Sequence, residues 1–115
     1  MTDHSFEFTR AITRCPASSV VDGLRAEDKG IPNFDQMLKD RSHYVATLRE
    51  TGAEIIELPA LVEFPDAVFV EDDVLCLKDC AVLMRPGAVS RMGEVVMIAP
   101  TIRAHYNDVF EINGP

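Results

Sequence analysis

The feature that most constrains the fold is a helical apolar period enclosed by strand-like ones. From Phe34 onward, Phe34, Met37, Leu38, Val45 and Leu48 fall on one helix face; Asn33 is set to cap its start, Gln36 is placed for a capping box, and Gly52 lies just past its end. On either side the period changes to two. "SFEFTRAIT" alternates Phe6, Phe8 and Ile12, with Arg10 as the interruption, and predicts a strand with one covered face, while "AEIIEL" predicts a short strand after the helix. "AVFVED" predicts a further strand, and "VLCL" with "CAVLMR" a hairpin around the polar "KD". "RPGA" is a turn, after which Ser90 is placed to cap a second helix carrying Val95, Ile98, Ala99, Ile102 and Tyr106 in period. Pro100 in its interior should kink or shorten it, and "DVFEI" predicts a final strand. Strands and helices that interleave in this way specify an α/β fold. The stretch "RCPASSVVDGLRAEDKGIPN" has no sustained period and predicts a long loop. Such loops are uncommon in compact domains and often serve as lids or binding loops, which singles out "VVDGL", although a surface wrap fits it equally well.

A chain of 115 residues with 47% hydrophobic content is enough for one domain of ordinary size, spanning 1–115. Its 11 basic and 19 acidic residues give 11 − 19 = −8, which argues against nucleic acid as a partner, because counterion release needs a basic face. The same acidity suits a cationic small ligand and equally serves solubility. "MTDHSFEFTR" has no basic segment leading into an apolar one, and no apolar run reaches the roughly 18 residues of a membrane span, so no membrane partner and a cytoplasmic location are expected. No repeat or low-complexity segment is present, and the ending at "NGP" reads as a chain interrupted between elements. Cys15, Cys76 and Cys80 are odd in number and should be reduced thiols. Cys76 and Cys80 have a turn between them and no second Cys or His pair nearby, so a metal is not expected, and small buried apolar residues is their reading. His4, His43 and His105 are scattered, His43 on the polar side of the first helix, and none pairs with a cysteine as a nucleophile would require. Gly-rich nucleotide loops are absent.

"FPDAVFVEDDVLCLKD", residues 64–79, places acids around a predicted strand. Strand alternation would put Asp66 and Asp72 on one face and Glu71 on the other. A carboxylate at a half-buried strand end costs free energy unless paired, and a planar cation with several N–H donors, such as a guanidinium, is a good partner for two of them. Acids that merely solvate a turn are the plainer alternative, and composition leaves both open.

Taken with "RPGAVSRMGE" at residues 85–94, "FPDAVFVED" resembles the N-terminal part of the dimethylarginine dimethylaminohydrolase family, hydrolases that modify guanidino groups. The resemblance runs along essentially the whole chain, through "TRCPASSVVDGL", the helix, "IIELP" and the hairpin with its two cysteines. It implies a five-bladed α/β propeller of the pentein type, incomplete in this chain, with a lid near "VVDGL". It also implies hydrolysis of methylated L-arginine to L-citrulline and a methylamine, without a cofactor. By position, Asp66, Glu71 and Asp72 match the family's acidic substrate-binding residues, Asp72 being the guanidinium partner. Leu24 matches a lid residue that contacts substrate through its backbone, Phe69 an apolar wall, and Arg91 the arginine that binds the substrate α-carboxylate. The set is coherent: acids hold the cationic head, while an arginine can grip the carboxylate at the other end. Glu71 would need a local twist or bulge to join Asp66 and Asp72, and Asp73, without a match, is expected to be a surface acid.

The family's nucleophilic cysteine, its proton-transferring histidine and its glutamate match nothing in residues 1–115, and Cys15, Cys76 and Cys80 do not take the nucleophile's place. No catalytic residue is therefore assigned, and the chain alone is expected to position substrate without a covalent step. Missing blades should leave strand edges and apolar faces uncovered, which predicts self-association or pairing with a complementary C-terminal fragment. Two other readings stay open: a non-catalytic α/β module that binds an arginine-like ligand or a second chain, and a relative of the arginine deiminases or amidinotransferases.

Overall fold

The computed structural model describes residues 8–25 and 29–114. They form two compact units, one within Phe6–Val68 and the other within Phe69–Pro115.

The first unit is a β-α-β crossover. Strand β1 (Arg10–Arg14) pairs in parallel with β2 (Glu54–Leu58), in a register running from Arg10 opposite Glu54 to Arg14 opposite Leu58. Parallel neighbours cannot be joined by a tight turn, and helix α1 (Phe34–Glu50) makes the crossover. Asn33 starts it as expected, its side chain accepting from the Gln36 N–H at 3.0 Å. Half of the capping box is missing, because the Gln36 amide donates to Asp40 Oδ1 at 2.9 Å instead of reaching back. Gly52, at φ +90°, sits in the left-handed conformation just beyond the helix end, where a Cβ would be strained. Val45, Ala53, Ala17 and Val20 are the buried apolar residues around this crossover. The N-terminal strand is shorter than its alternation suggests: Phe8 precedes β1 and is exposed, and Phe6 lies outside the described residues. The long loop is partly regular, with a 3-10 turn at Ser18–Asp22.

The second unit repeats the crossover and adds a hairpin. Strand β3 (Val74–Cys76) runs antiparallel to β4 (Cys80–Leu83), and β4 pairs in parallel with β5 (Asp108–Glu111) through helix α2 (Val89–His105). Ala81 and Leu83 on β4 and Ile98 and Ile102 on α2 are almost fully buried and make its core. Glu94, Ile98 and Ile102 recur every fourth residue and so share one stripe of α2.

Four expectations are corrected. "AVFVED" forms no strand; Ala67 N–H bonds to Phe64 O, Asp72 N–H to Phe69 O and Asp73 N–H to Val70 O at 3.0–3.1 Å, the last two enclosing a 3-10 turn at Val70–Asp72. Pro65 has no N–H to give a neighbouring strand, and these local bonds use donors a ladder would need. Ser90 does not cap α2, which begins one residue earlier after Ala88, with no side-chain cap bond. Pro100 does not shorten α2. It removes the bond to the Val96 carbonyl, but Val96 is 72% exposed, so water can take the vacated acceptor and the helix continues to His105. The hairpin cysteines are not both buried: Cys76 is exposed and Cys80 half-buried, because the short β3 leaves the hairpin tip open, and all three cysteines are free thiols.

Asn33→Ala should therefore lower the unfolding free energy by about 1 kcal/mol, while Ser90→Ala should change it by less than about 0.5 kcal/mol. Urea denaturation of the two variants checks the contrast, and equal losses would contradict the cap assignment.

Candidate functional site

The six nominated residues fall into two clusters, one in each unit. In the first, the 3-10 turn at Ser18–Asp22 ends where Gly23 N–H bonds to Val20 O, and the next N–H, that of Leu24, is aimed at Asp66. Both carboxylate oxygens of Asp66 accept from it, Oδ1 at 3.1 Å and Oδ2 at 3.2 Å. Asp66 is 7% exposed and is held by the turn that precedes it, whereas the Leu24 side chain is 61% exposed. Gly23 permits the approach. A Cβ there would lie 2.6 Å from Asp66 Oδ1, closer than packed atoms allow, and a tight 3.1 Å from Val20 O. The Asp66 carboxylate therefore fixes the backbone of the loop at the residue matched to the lid.

The second cluster centres on Arg91, in the first turn of α2. Its Nε donates to Glu94 Oε2 at 3.0 Å and its Nη2 to Glu94 Oε1 at 2.9 Å, a two-pronged contact along the helix. Its Nη1 donates to Asp72 Oδ2 at 2.7 Å, and its Nη2 also donates to the Phe69 carbonyl at 3.2 Å. One guanidinium thus ties α2 to both ends of the 3-10 turn. Phe69, Glu71 and Asp72 are exposed on that turn. Glu71 and Asp72 are neighbours on a tight turn and do not alternate across a strand, so Glu71 needs no bulge.

Asp73 is the opposite of a surface acid. It is 2% exposed, and its Oδ1 lies 4.0 Å from Arg91 Nη2 without a hydrogen-bond partner. The turn ends by directing this side chain inward, and the Asp73 carbonyl accepts from Met84 N–H at 2.9 Å, which locks the backbone there. Burial first, and then a hydrogen bond with Glu94, push its carboxyl up to about 8. The same Glu94, 2% exposed, raises the Arg91 pKa further above its ordinary range, chiefly through their hydrogen bonds. Sequence reading missed Asp73 and Glu94. The i,i+3 pair Arg91-x-x-Glu94 was the available signal for the second; nothing local marks the first.

A groove of about 370 Å³ beside α2 and β5, lined in part by Met84, Met92, Val95 and Ile112, contains none of the nominated residues. No group of three or more His, Cys, Asp or Glu side chains among the described residues could hold a metal ion. No helix among them is long and apolar enough to cross a membrane.

The fold that carries these two clusters recurs in solved structures. The chain superposes on a cysteine-to-serine variant of the dimethylarginine dimethylaminohydrolase of Pseudomonas aeruginosa, complexed with citrulline, with a TM-score of 0.92 and 41% identity, covering 96% of this chain and 44% of that one. By sequence it is 42% identical over 99 residues to the N(G),N(G)-dimethylarginine dimethylaminohydrolase of the same organism, covering 86% of this chain and 39% of the relative. The chain is similar to the dimethylarginine dimethylaminohydrolases over their N-terminal part. The Streptomyces coelicolor dimethylarginine dimethylaminohydrolase is 30% identical over 94 residues, covering 81% of this chain and 36% of that relative. No protein-family model matches. The fold is part of the pentein-type α/β propeller of these enzymes, and the chain spans only about two fifths of the dimethylarginine dimethylaminohydrolases it matches.

Within this dimethylarginine dimethylaminohydrolase-like chain, the raised Asp73 pKa has a definite sign. Ionisation is resisted in the folded state and free near pH 4 in the unfolded one, so the stability contribution is complete below about pH 4 and is lost as pH rises through about 8. The urea midpoint should fall between about pH 4 and about pH 8, and Asp73→Asn, which keeps a neutral donor, should flatten that slope. An unchanged slope in the variant would contradict the buried acid.

Proposed function

We propose that this chain is the N-terminal, substrate-binding portion of a hydrolase that converts N-omega-methylated L-arginine to L-citrulline and methylamine or dimethylamine. The likeness to an enzyme complexed with citrulline is the observation that carries the reading, since citrulline is the product this reaction would leave. Asp72 and Glu71, exposed acids on one tight turn, bind the guanidinium head. Phe69 supplies an apolar wall beside them. Leu24 contributes its loop backbone, and Asp66 presents that backbone by holding the Leu24 N–H. Arg91 takes the substrate α-carboxylate, for which it must exchange one of its present partners, the exposed Asp72 contact being the cheapest to give up.

The covalent step belongs to the rest of the enzyme. The nucleophilic cysteine, the histidine and the glutamate of the reaction lie outside residues 1–115, so the residues here position the substrate and do not cleave it. No cofactor takes part, and the enzyme acts in the cytoplasm. Apolar side chains such as Val89, Val96 and Phe110, 81%, 72% and 58% exposed, favour association of the chain with itself or with a complementary C-terminal fragment.

The purified 115-residue chain should release no citrulline from methylated arginine and should sediment as more than a monomer at high concentration. Turnover by this material would overturn the division of labour, and a clean monomer would overturn the association.

A further inference from the structure

The pair Glu94 and Asp73 is used by nothing described so far, although two nearly fully buried acids next to one arginine are costly unless their charges are arranged. The described charged groups facing the pair are Arg91 on α2 and Asp72 on the 3-10 turn. Were all three acids ionised, three negative charges would share one guanidinium. Burial pushes the Asp73 carboxyl up, which relieves that excess, and the other two acids differ in environment: Glu94 is enclosed and bonded twice to Arg91, while the Asp72 side chain is 55% exposed and bonded to Arg91 through Oδ2.

We propose that Glu94 and Asp73 are positioning residues for the ligand-binding turn: Glu94 holds the Arg91 guanidinium through two hydrogen bonds, Asp73 backs it from the buried side with Oδ1 4.0 Å from Nη2, and the exposed Asp72 carboxylate, tied to Arg91 through one oxygen, is left to face a cationic ligand. The inference deepens the reading of Asp72 as a guanidinium contact and rests on it. Neither positioning residue touches the ligand. Their effect runs through Arg91, which, without Glu94, would turn its full charge on Asp72 and neutralise the contact the ligand needs.

The test uses the 115-residue chain and its Glu94→Gln and Asp73→Asn variants, with two readouts. Calorimetry compares a cationic ligand, N-omega-monomethyl-L-arginine, with the neutral L-citrulline. Glu94→Gln should weaken the cationic ligand by about tenfold relative to citrulline, the scale of one charge-assisted hydrogen bond; Asp73→Asn should leave that ratio within about twofold. A merely structural role would weaken both ligands alike, and that result, or an unchanged ratio in Glu94→Gln, overturns the proposal. The second readout, solvent exchange of the Arg91 Nε–H by nuclear magnetic resonance, needs no ligand. It should be slow in the parent chain and in Asp73→Asn, and at least about tenfold faster in Glu94→Gln. If the parent chain binds neither ligand, the substrate-binding reading fails while the exchange rates still decide whether Glu94 holds Arg91. Should Glu94→Gln not fold, the parent chain at pH above the Asp73 transition serves instead: Arg91 Nε–H exchange that does not accelerate there beyond the general rise with hydroxide, seen at Arg49 and Arg103, overturns the role of Asp73.

Discussion

The two-pronged contact between Arg91 and the buried Glu94 is the interaction on which the acidic turn depends. A guanidinium satisfied on one edge by a carboxylate of its own helix has its other donors directed at Asp72 and at the Phe69 carbonyl. The turn has only three residues of 3-10 helix, too few to hold a shape unaided, and local bonds of that kind are individually weak. A rigid five-donor fork can bridge a helix and two points of such a turn; a lysine, with a compact charge on a flexible stem, could not. The arrangement also explains why Asp73 is tolerated inside. A third ionised acid would exceed what one arginine can balance, and burial relieves the excess by pushing its carboxyl up.

The first unit reaches a comparable result with a backbone N–H in place of the arginine. Asp66 is not an open acid waiting for a cation: it accepts the Leu24 N–H with both oxygens, and Gly23 is the residue that lets it come that close. A carboxylate in such a place shapes a loop first and offers charge second. In each unit a buried acid thus fixes its surroundings, Asp66 the loop backbone and Glu94 the Arg91 guanidinium. The β-α-β crossovers beneath them are what parallel strands require, and they set the clusters at the ends of short strands and at helix starts.

Several particulars were open to a reader of the sequence and others were not. The apolar period of α1, its Asn33 cap and Gly52 stop, the β3–β4 hairpin and the β5 strand follow from spacing and local chemistry, and they are where expected. "AVFVED" misled because its composition suits a strand, whereas strand formation also needs a neighbour to accept its bonds, and Pro65 with the following turns leaves it none. Ser90 misled for a related reason, since the turn before α2 delivers the chain into helix at Val89 whatever cap is available.

By itself the sequence determined the α/β alternation, the boundaries of α1, the acidic balance and, through "FPDAVFVED" and "RPGAVSRMGE", the family that the chain resembles. These properties are local or cumulative along the chain, so they survive without coordinates. Tertiary structure alone decided which acids face inward. Asp72 and Asp73 are adjacent and chemically alike, yet one is exposed beside Arg91 and the other is buried near Glu94, with its carboxyl pushed up. That difference arises from what packs around each side chain, and the partner responsible, Glu94, is a helix residue 21 positions away from Asp73 (94 − 73), whose approach no local pattern records.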